Sequence, residues 1–313
     1  MPDELLIMDK LVCIVGTNAS GKSDLAIKLA KKYDAAIVSA DSRQVYKGLD
    51  LGSGKVTPEE MQGVDHYLLD VAEPNEFFSL AHYQKLAYEA IDSQIANGRK
   101  AFLCGGTGLY VNAVVDGYDL TGEEPDLKLR RQIEEKSLEE LISIIRENAP
   151  GLLQQLDIKN KRRVERAAEK ALSADKGDHV NRPRYETLLI GVTWPREVLY
   201  ERIRERLDRR LIQGMIEEVE HLRENGATDD FLYRLGLEYR YILMYLRGEF
   251  ENYDQFYNKL FMEIRHLAKE QMTWFRKRRD INWVDMSGDV MGECCSLIDA
   301  FYEGTVFNRR IKL

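Results

Sequence analysis

Cysteine is scarce: the 313-residue chain has four, Cys13, Cys104 and the adjacent pair Cys294 and Cys295. None stands in zinc spacing with a second Cys or His pair, so neither a structural zinc module nor a disulfide scaffold is expected. Internal repeats and low-complexity tracts are missing as well. No apolar run is long enough to span a bilayer, and Met1 to Lys10 mixes charges with apolar residues, which predicts neither a signal peptide nor a membrane anchor. A reducing cytoplasm is the expected compartment. There is no excess of positive charge: 45 Lys and Arg stand against 53 Asp and Glu, a net charge of −8. A protein that coats nucleic acid nonspecifically depends on broad phosphate neutralisation, and this balance argues against one. Three basic clusters could still form a local groove: Lys161-Arg162-Arg163 with Arg166, the run Arg202 to Arg210, and Arg276 to Arg279. Taken singly, each reads as a solvated helix face.

What is present is concentrated in residues 11–23, Leu-Val-Cys-Ile-Val-Gly-Thr-Asn-Ala-Ser-Gly-Lys-Ser. An apolar strand runs into a loop in which Gly16 and Gly21-Lys22-Ser23 have phosphate-loop spacing, and Leu25, Ala26, Leu29, Ala30 and Tyr33 then recur at helical intervals. Backbone N–H groups of Gly16, Thr17, Asn18, Ala19, Ser20 and Gly21 can surround phosphate oxygens at a helix N-terminus, with Lys22 as a cation and Ser23 as a hydroxyl for Mg²⁺. Further apolar runs at 35–40, 66–71, 101–104, 188–194 and 281–284 alternate with helical patterns. The expected fold is α/β, a P-loop NTPase-like, mainly parallel sheet flanked by helices. A helix over 80–97 has Ser79 as N-cap and Gly98 as stop.

Residues 116–184 read differently, as charged, helix-forming sequence with Leu127, Ile133, Leu138, Leu141, Ile144 and Ile145 as an apolar stripe. The expected organisation is a catalytic core of 1–115 and 185–313 with a small helical insertion that serves as a lid or a packing decoration.

Asp41 closes the strand over 36–40 and so belongs to the same crevice as the phosphate loop. It can act as a general base, as an outer ligand of Mg²⁺ or as a loop cap. Gly105-Gly106-Thr107-Gly108 follows another strand on that rim, with Thr107 placed to hydrogen-bond a substrate. Gly52-Ser53-Gly54-Lys55 imitates a second phosphate loop, but no strand precedes it and Val56 replaces the hydroxyl. The strand over 101–104 closes on Gly105 and not on a Walker-B Asp, with Asp41 and Asp70 as substitutes. That leaves a small-acceptor kinase, or a transferase whose donor is itself a diphosphate ester.

The segments Gly16 to Ser23, Ser39 to Asp50, Gly105-Gly106-Thr107 with Tyr110, and Leu267-Ala268-Lys269 with Gln271, Thr273 and Trp274 resemble the tRNA dimethylallyltransferase family, in order and spacing over nearly the whole chain. The resemblance implies transfer from dimethylallyl diphosphate to the N6 amine of the adenosine 3′ of the anticodon in a tRNA anticodon stem-loop. Mg²⁺ is the expected cofactor, and the chain is expected to be a monomer with no membrane partner. On this resemblance Gly16 to Ser23 hold the diphosphate, Asp41 is the general base, Thr107 lines the channel and Arg206 meets the leaving diphosphate. Asp41, Ser42, Arg43 and Gln44 contact the flipped base and its neighbours, and Arg162, Arg163, Arg166, Tyr239 and Arg240 contact tRNA. Two departures stand out. Thr17-Asn18 replaces the usual Pro-Thr of the loop, and Leu237-Glu238-Tyr239-Arg240 replaces Ile-Gly-Tyr-Lys, which puts a negative charge where RNA would pass. An isopentenyltransferase acting on free adenine nucleotides and a catalytically weak RNA-binding paralogue are the alternatives, with a kinase third.

Overall fold

The computed structural model describes residues 8–120, 126–154, 156–172 and 180–304. Met1 to Ile7, where a leader would be read, and the side chain of Leu127 lie outside them. The first half of the core runs β1 (Lys10–Gly16), α1 (Lys22–Tyr33), β2 (Ala35–Ser39), α2 (Pro58–Met61), β3 (His66–Tyr67), α3 (Leu80–Ala96), β4 (Lys100–Gly105) and α4 (Gly108–Val115). Next come α5 (Leu127–Glu134), α6 (Leu138–Asn148), a 3₁₀ turn (Pro150–Gln154) and α7 (Lys161–Leu172). The chain then forms β5 (Glu186–Thr193), α8 (Arg196–Ile212), α9 (Met215–Glu224), α10 (Asp229–Leu235), α11 (Leu237–Leu246), α12 (Tyr253–Arg276), β6 (Ile281–Asp285) and α13 (Val290–Tyr302). Two compact units result, 1–118 with 182–313, and 119–181.

Among the described residues six strands form one sheet in the order β3-β2-β4-β1-β5-β6, and each of their pairings is parallel. Strand β1 shows why: Leu11, Cys13 and Val15 point to one core cluster while Val12 and Ile14 point to another, so both faces of the sheet are dry. Parallel strands need such double cover. Helices α1 and α13 supply it on the Val12 face, and α3, α4, α8, α11 and α12 on the Leu11 face. Ser79 caps α3 by accepting from the His82 amide, as its sequence suggests. The C-terminal end of α12 is tied down by Arg278, whose guanidinium meets Asp116 at 2.8 Å and Asp280 at 2.6 Å.

The strand expected over 66–71 ends at Tyr67. Leu68 and Asp70 take left-handed φ of 64° and 57°, and the amides of Asp70 and Val71 turn to the carbonyls of Gln44 and Val45. The second unit packs its own small core from Ile133, Leu141, Ile145, Val164 and Ala168. All four cysteines are free and buried. No helix among the described residues is long and apolar enough to cross a membrane.

Candidate functional site

At the carboxyl edge of the sheet, the ends of β1, β2 and β4 come together. Gly105 makes this approach feasible, since a Cβ there would stand 2.2 Å from the Ala40 carbonyl oxygen. Thr107 then closes the junction: its amide donates to the Ala40 carbonyl at 3.1 Å, and its hydroxyl accepts from the Ser42 amide at 3.1 Å. Asp41 Oδ1 accepts the amides of Arg43 at 2.9 Å and Gln44 at 3.4 Å, which orients the carboxylate.

Asp41, Arg43 and Gln44 line a cavity together with Asn18, Ala19, Lys22 and Ser23 of the loop after β1. Helix α8 adds Arg206 and Arg210 to the wall, and Glu238 and Gln271 complete it. A second opening shares Ala19, Lys22, Ser23, Gly54, Arg206 and Arg210 with the first and continues past Ser20, Gly21, Arg202 and Arg209. No side chain caps the first turn of α1, which leaves its N–H groups to a ligand.

The electrostatics of the cavity are set by clustered, buried cations. Burial lowers the pKa of Lys22, with Arg206 among its repelling neighbours. Burial and then Arg210 push Arg206 down to about 9. Arg210 is lowered by the same burial. Cations held together out of water gain when a polyanion enters. Cys104, also in the wall, is pushed up to about 11 by burial and remains a thiol.

Several expected site residues have other tasks. The amide of Asn18 donates to Gln271 Oε1 at 2.8 Å and its Nδ2 to the Ile264 carbonyl at 3.3 Å, so neither group is offered to a diphosphate. Gly16 and Thr17 line neither opening, and Thr17 is fully buried. Thr107 and Ser42 line neither opening: Thr107 clasps the Asp41 turn. Gln44 reaches the cavity, but its amide already accepts from Ser39 Oγ and donates to the Gly54 carbonyl.

Tyr239 cannot touch RNA, because it is 0% exposed and its hydroxyl donates to Glu218 Oε1 at 3.0 Å. Arg240 is stacked over Tyr233 and donates to the Tyr233 carbonyl, away from the cavity. Glu238 does not place charge in an RNA path either: it is 5% exposed, with Oε2 at 2.9 Å from Arg43 Nη1 and Oε1 at 3.4 Å from Arg210 Nη1. Arg162 and Arg163 are exposed on α7 of the second unit, and Arg166 pairs with Glu169 there.

Other contributors were not singled out from sequence. Arg210 lay within a basic run that reads as a solvated face, yet its every-fourth-residue spacing from Arg206 puts both on one side of α8. Arg202, of the same run, donates to the carbonyl of Ala19, a residue held at φ 55° in the loop. Glu218 accepts the amides of Asp50, Leu51 and Gly52 at 3.1, 2.6 and 3.0 Å and thereby sets the wall segment 50–54. Lys55 is not a phosphate ligand: it is buried against Asp50, Asp70 and the Tyr46 carbonyl. Asp70 is thus its ion-pair partner and lines neither opening.

Residues 44–278 match a family model described as IPP transferase. Over 289 residues the chain is 39% identical to the tRNA dimethylallyltransferase of Acetivibrio thermocellus, covering 89% of this chain and 92% of that protein. Over 294 residues it is 42% identical to tRNA dimethylallyltransferase 2 of Pelobacter propionicus, covering 92% and 93%. Among solved structures, the full-length tRNA isopentenylpyrophosphate transferase of Bacillus halodurans aligns with a TM-score of 0.71 at 35% identity, over 95% of this chain and 96% of that one. A eukaryotic dimethylallyltransferase acting on tRNA reaches 0.78 at 19% identity, over 96% and 81%, and speaks for the fold alone.

Proposed function

The chain belongs to the IPP transferase family, with curated tRNA dimethylallyltransferases among its relatives, and from that premise we propose the reaction its cavity performs. The chain prenylates tRNA, moving a dimethylallyl group from dimethylallyl diphosphate to the N6 amine of the adenosine immediately 3′ of the anticodon. One observation carries the site assignment: three buried cations, Lys22, Arg206 and Arg210, share a cavity with an oriented carboxylate, Asp41.

In this reading the diphosphate lies between the uncapped start of α1, Lys22 and the two arginines. The allylic C–O bond breaks with its electron pair on the diphosphate, where these charges stabilise it. The N6 lone pair forms the new C–N bond, and Asp41 takes the proton that the nitrogen sheds. The Arg43 and Gln44 amides hold Asp41 in line for that transfer, and Thr107 and Ser42 fix the turn behind it. The adenine reaches the cavity by leaving its stack, which costs a few kcal/mol and favours a loop over a duplex.

Mg²⁺ belongs to this proposal as cofactor. Among the described residues no three His, Cys, Asp or Glu side chains converge as metal ligands, while the Ser23 hydroxyl side chain lines both openings. A hydroxyl donor of this kind fits a hard cation: Ser23 would hold Mg²⁺, which would supply charge neutralisation to the leaving diphosphate. A monomer working on the anticodon stem-loop in the cytoplasm, with the exposed Arg162 and Arg163 against RNA phosphates, completes the reading.

The test offers labelled dimethylallyl diphosphate and Mg²⁺ with an anticodon stem-loop carrying adenosine after the anticodon, and in parallel with AMP, ADP and ATP. Efficient labelling of the stem-loop is expected, with free nucleotides far poorer. Equal use of free nucleotide would move the activity to small acceptors. Absence of transfer to any of them would mean a binding paralogue, and phosphoryl transfer from ATP a kinase.

A further inference from the structure

Glu238 enters the cavity wall by a strained route. Gly236 has φ 75° and Leu237 φ 40°, the latter a left-handed conformation that a bulky residue seldom adopts. Strain of this kind persists where the surrounding structure demands it and gathers at functional sites. Its result here is a carboxylate with 5% exposure, set between Arg43, whose own amide orients Asp41, and Arg210, which lines both openings.

The two contacts are unequal. Arg43 sits at 2.9 Å and Arg210 at 3.4 Å. An anion arriving beside Lys22 and Arg206 can therefore draw on Arg210 without stripping Glu238 of its partner, because Arg43 remains. A buried carboxylate left with no cation would be far costlier. Arg206 gains from the same event, since Arg210 is the strongest of the cations that repel it.

We infer that Glu238 is an affinity-setting residue, a resident carboxylate that competes with the substrate's diphosphate for Arg210. The inference rests on the donor assignment made above. It gives the pocket a means of releasing product: a diphosphate that faces a competing carboxylate for one of its arginines binds less tightly than three unopposed cations would hold it. Glu238 acts through Arg210 and touches no reacting atom, so it is a positioning residue and not a catalytic one.

Calorimetric titration with inorganic diphosphate in the presence of Mg²⁺ tests this. Glu238→Gln should bind diphosphate roughly tenfold more tightly than wild type, the effect of one freed charge-assisted hydrogen bond. Its KM for the donor should fall together with kcat, and inorganic diphosphate should inhibit it more strongly. Glu238→Asp, whose shorter arm keeps Arg43 and loses the longer contact to Arg210, should tighten binding roughly threefold, as the charge still acts at a greater distance. It carries the test alone if the glutamine variant does not fold. Unchanged or weaker diphosphate affinity in the folded variants, with only melting temperature lowered, would make Glu238 a structural ion pair and overturn the inference. A wild-type protein that binds no diphosphate would overturn the donor assignment and this inference with it, an outcome visible before any variant is made.

Discussion

A single methyl group added at Gly54 separates what the cavity wall does for stability from what it does for chemistry. A Cβ at this position would lie 1.6 Å from Arg210 Nη2 and 2.2 Å from Arg206 Nη2. Carbon and nitrogen cannot approach within about 3 Å without repulsion, so both guanidinium groups must withdraw by roughly 1 Å or more. They sit at the ends of flexible side chains, and moving them costs the fold little. The remaining stability penalty is the backbone's: Gly54 has φ 65°, and a left-handed conformation costs an alanine about 1–2 kcal/mol. The functional penalty is larger. Arg206 Nη2 loses its 3.4 Å contact to the Gly54 carbonyl, and the diphosphate loses at least one charged donor, worth about 1.5–3 kcal/mol. Gly54→Ala should therefore lower kcat/KM for dimethylallyl diphosphate by about 10- to 100-fold, at about 1.4 kcal/mol per factor of ten. Gly63→Ala is the control, because Gly63 has φ 81° and nothing within 4 Å of its added Cβ. It should show a similar drop in melting temperature with unaltered kinetics. Equal donor kinetics in the two variants would refute the placement of the arginines around the diphosphate.

Asp41→Asn should lower turnover by about 10² or more while tRNA affinity in a filter-binding assay stays near wild type, since the carboxylate acts in proton removal. Matching losses of binding and turnover would make Asp41 a structural cap of the 41–44 turn. Because burial depresses Lys22, and holds Arg206 at about 9, diphosphate binding should take up protons on the alkaline side of neutrality. Calorimetry in two buffers of different ionisation enthalpy measures this, and donor affinity should decline as pH rises through about 9. The ligand-free protein should show the opposite trend from these groups, gaining stability through that window, because its native state sheds the protons before the unfolded chain does. Lys22→Ala should remove part of the uptake and leave RNA binding intact.

The parts of this site that were legible in the sequence are those written in consecutive residues. Residues 11–23 carry strand, loop and helix in one stretch, and Asp41 follows directly on an apolar strand, so the parallel sheet and the rim carrying Lys22 and Asp41 could be placed from pattern alone. The contacts that assign roles within the rim join residues far apart in the chain. Asn18 meets Gln271, Gly54 meets Arg206 and Arg210, and Glu218 holds the amides of 50–52. No period or spacing links such pairs. Tyr239 and Glu238 show the resulting failure most clearly. A tyrosine next to an arginine, and a glutamate in place of a glycine, have no face until α11 packs, and that packing turns both inward: Tyr239 onto Glu218, Glu238 between two guanidinium groups. A charge read as facing solvent repels RNA. The same charge, buried between Arg43 and Arg210, instead tempers how firmly the cavity grips a phosphate, and only the partners on either side decide which of these it does.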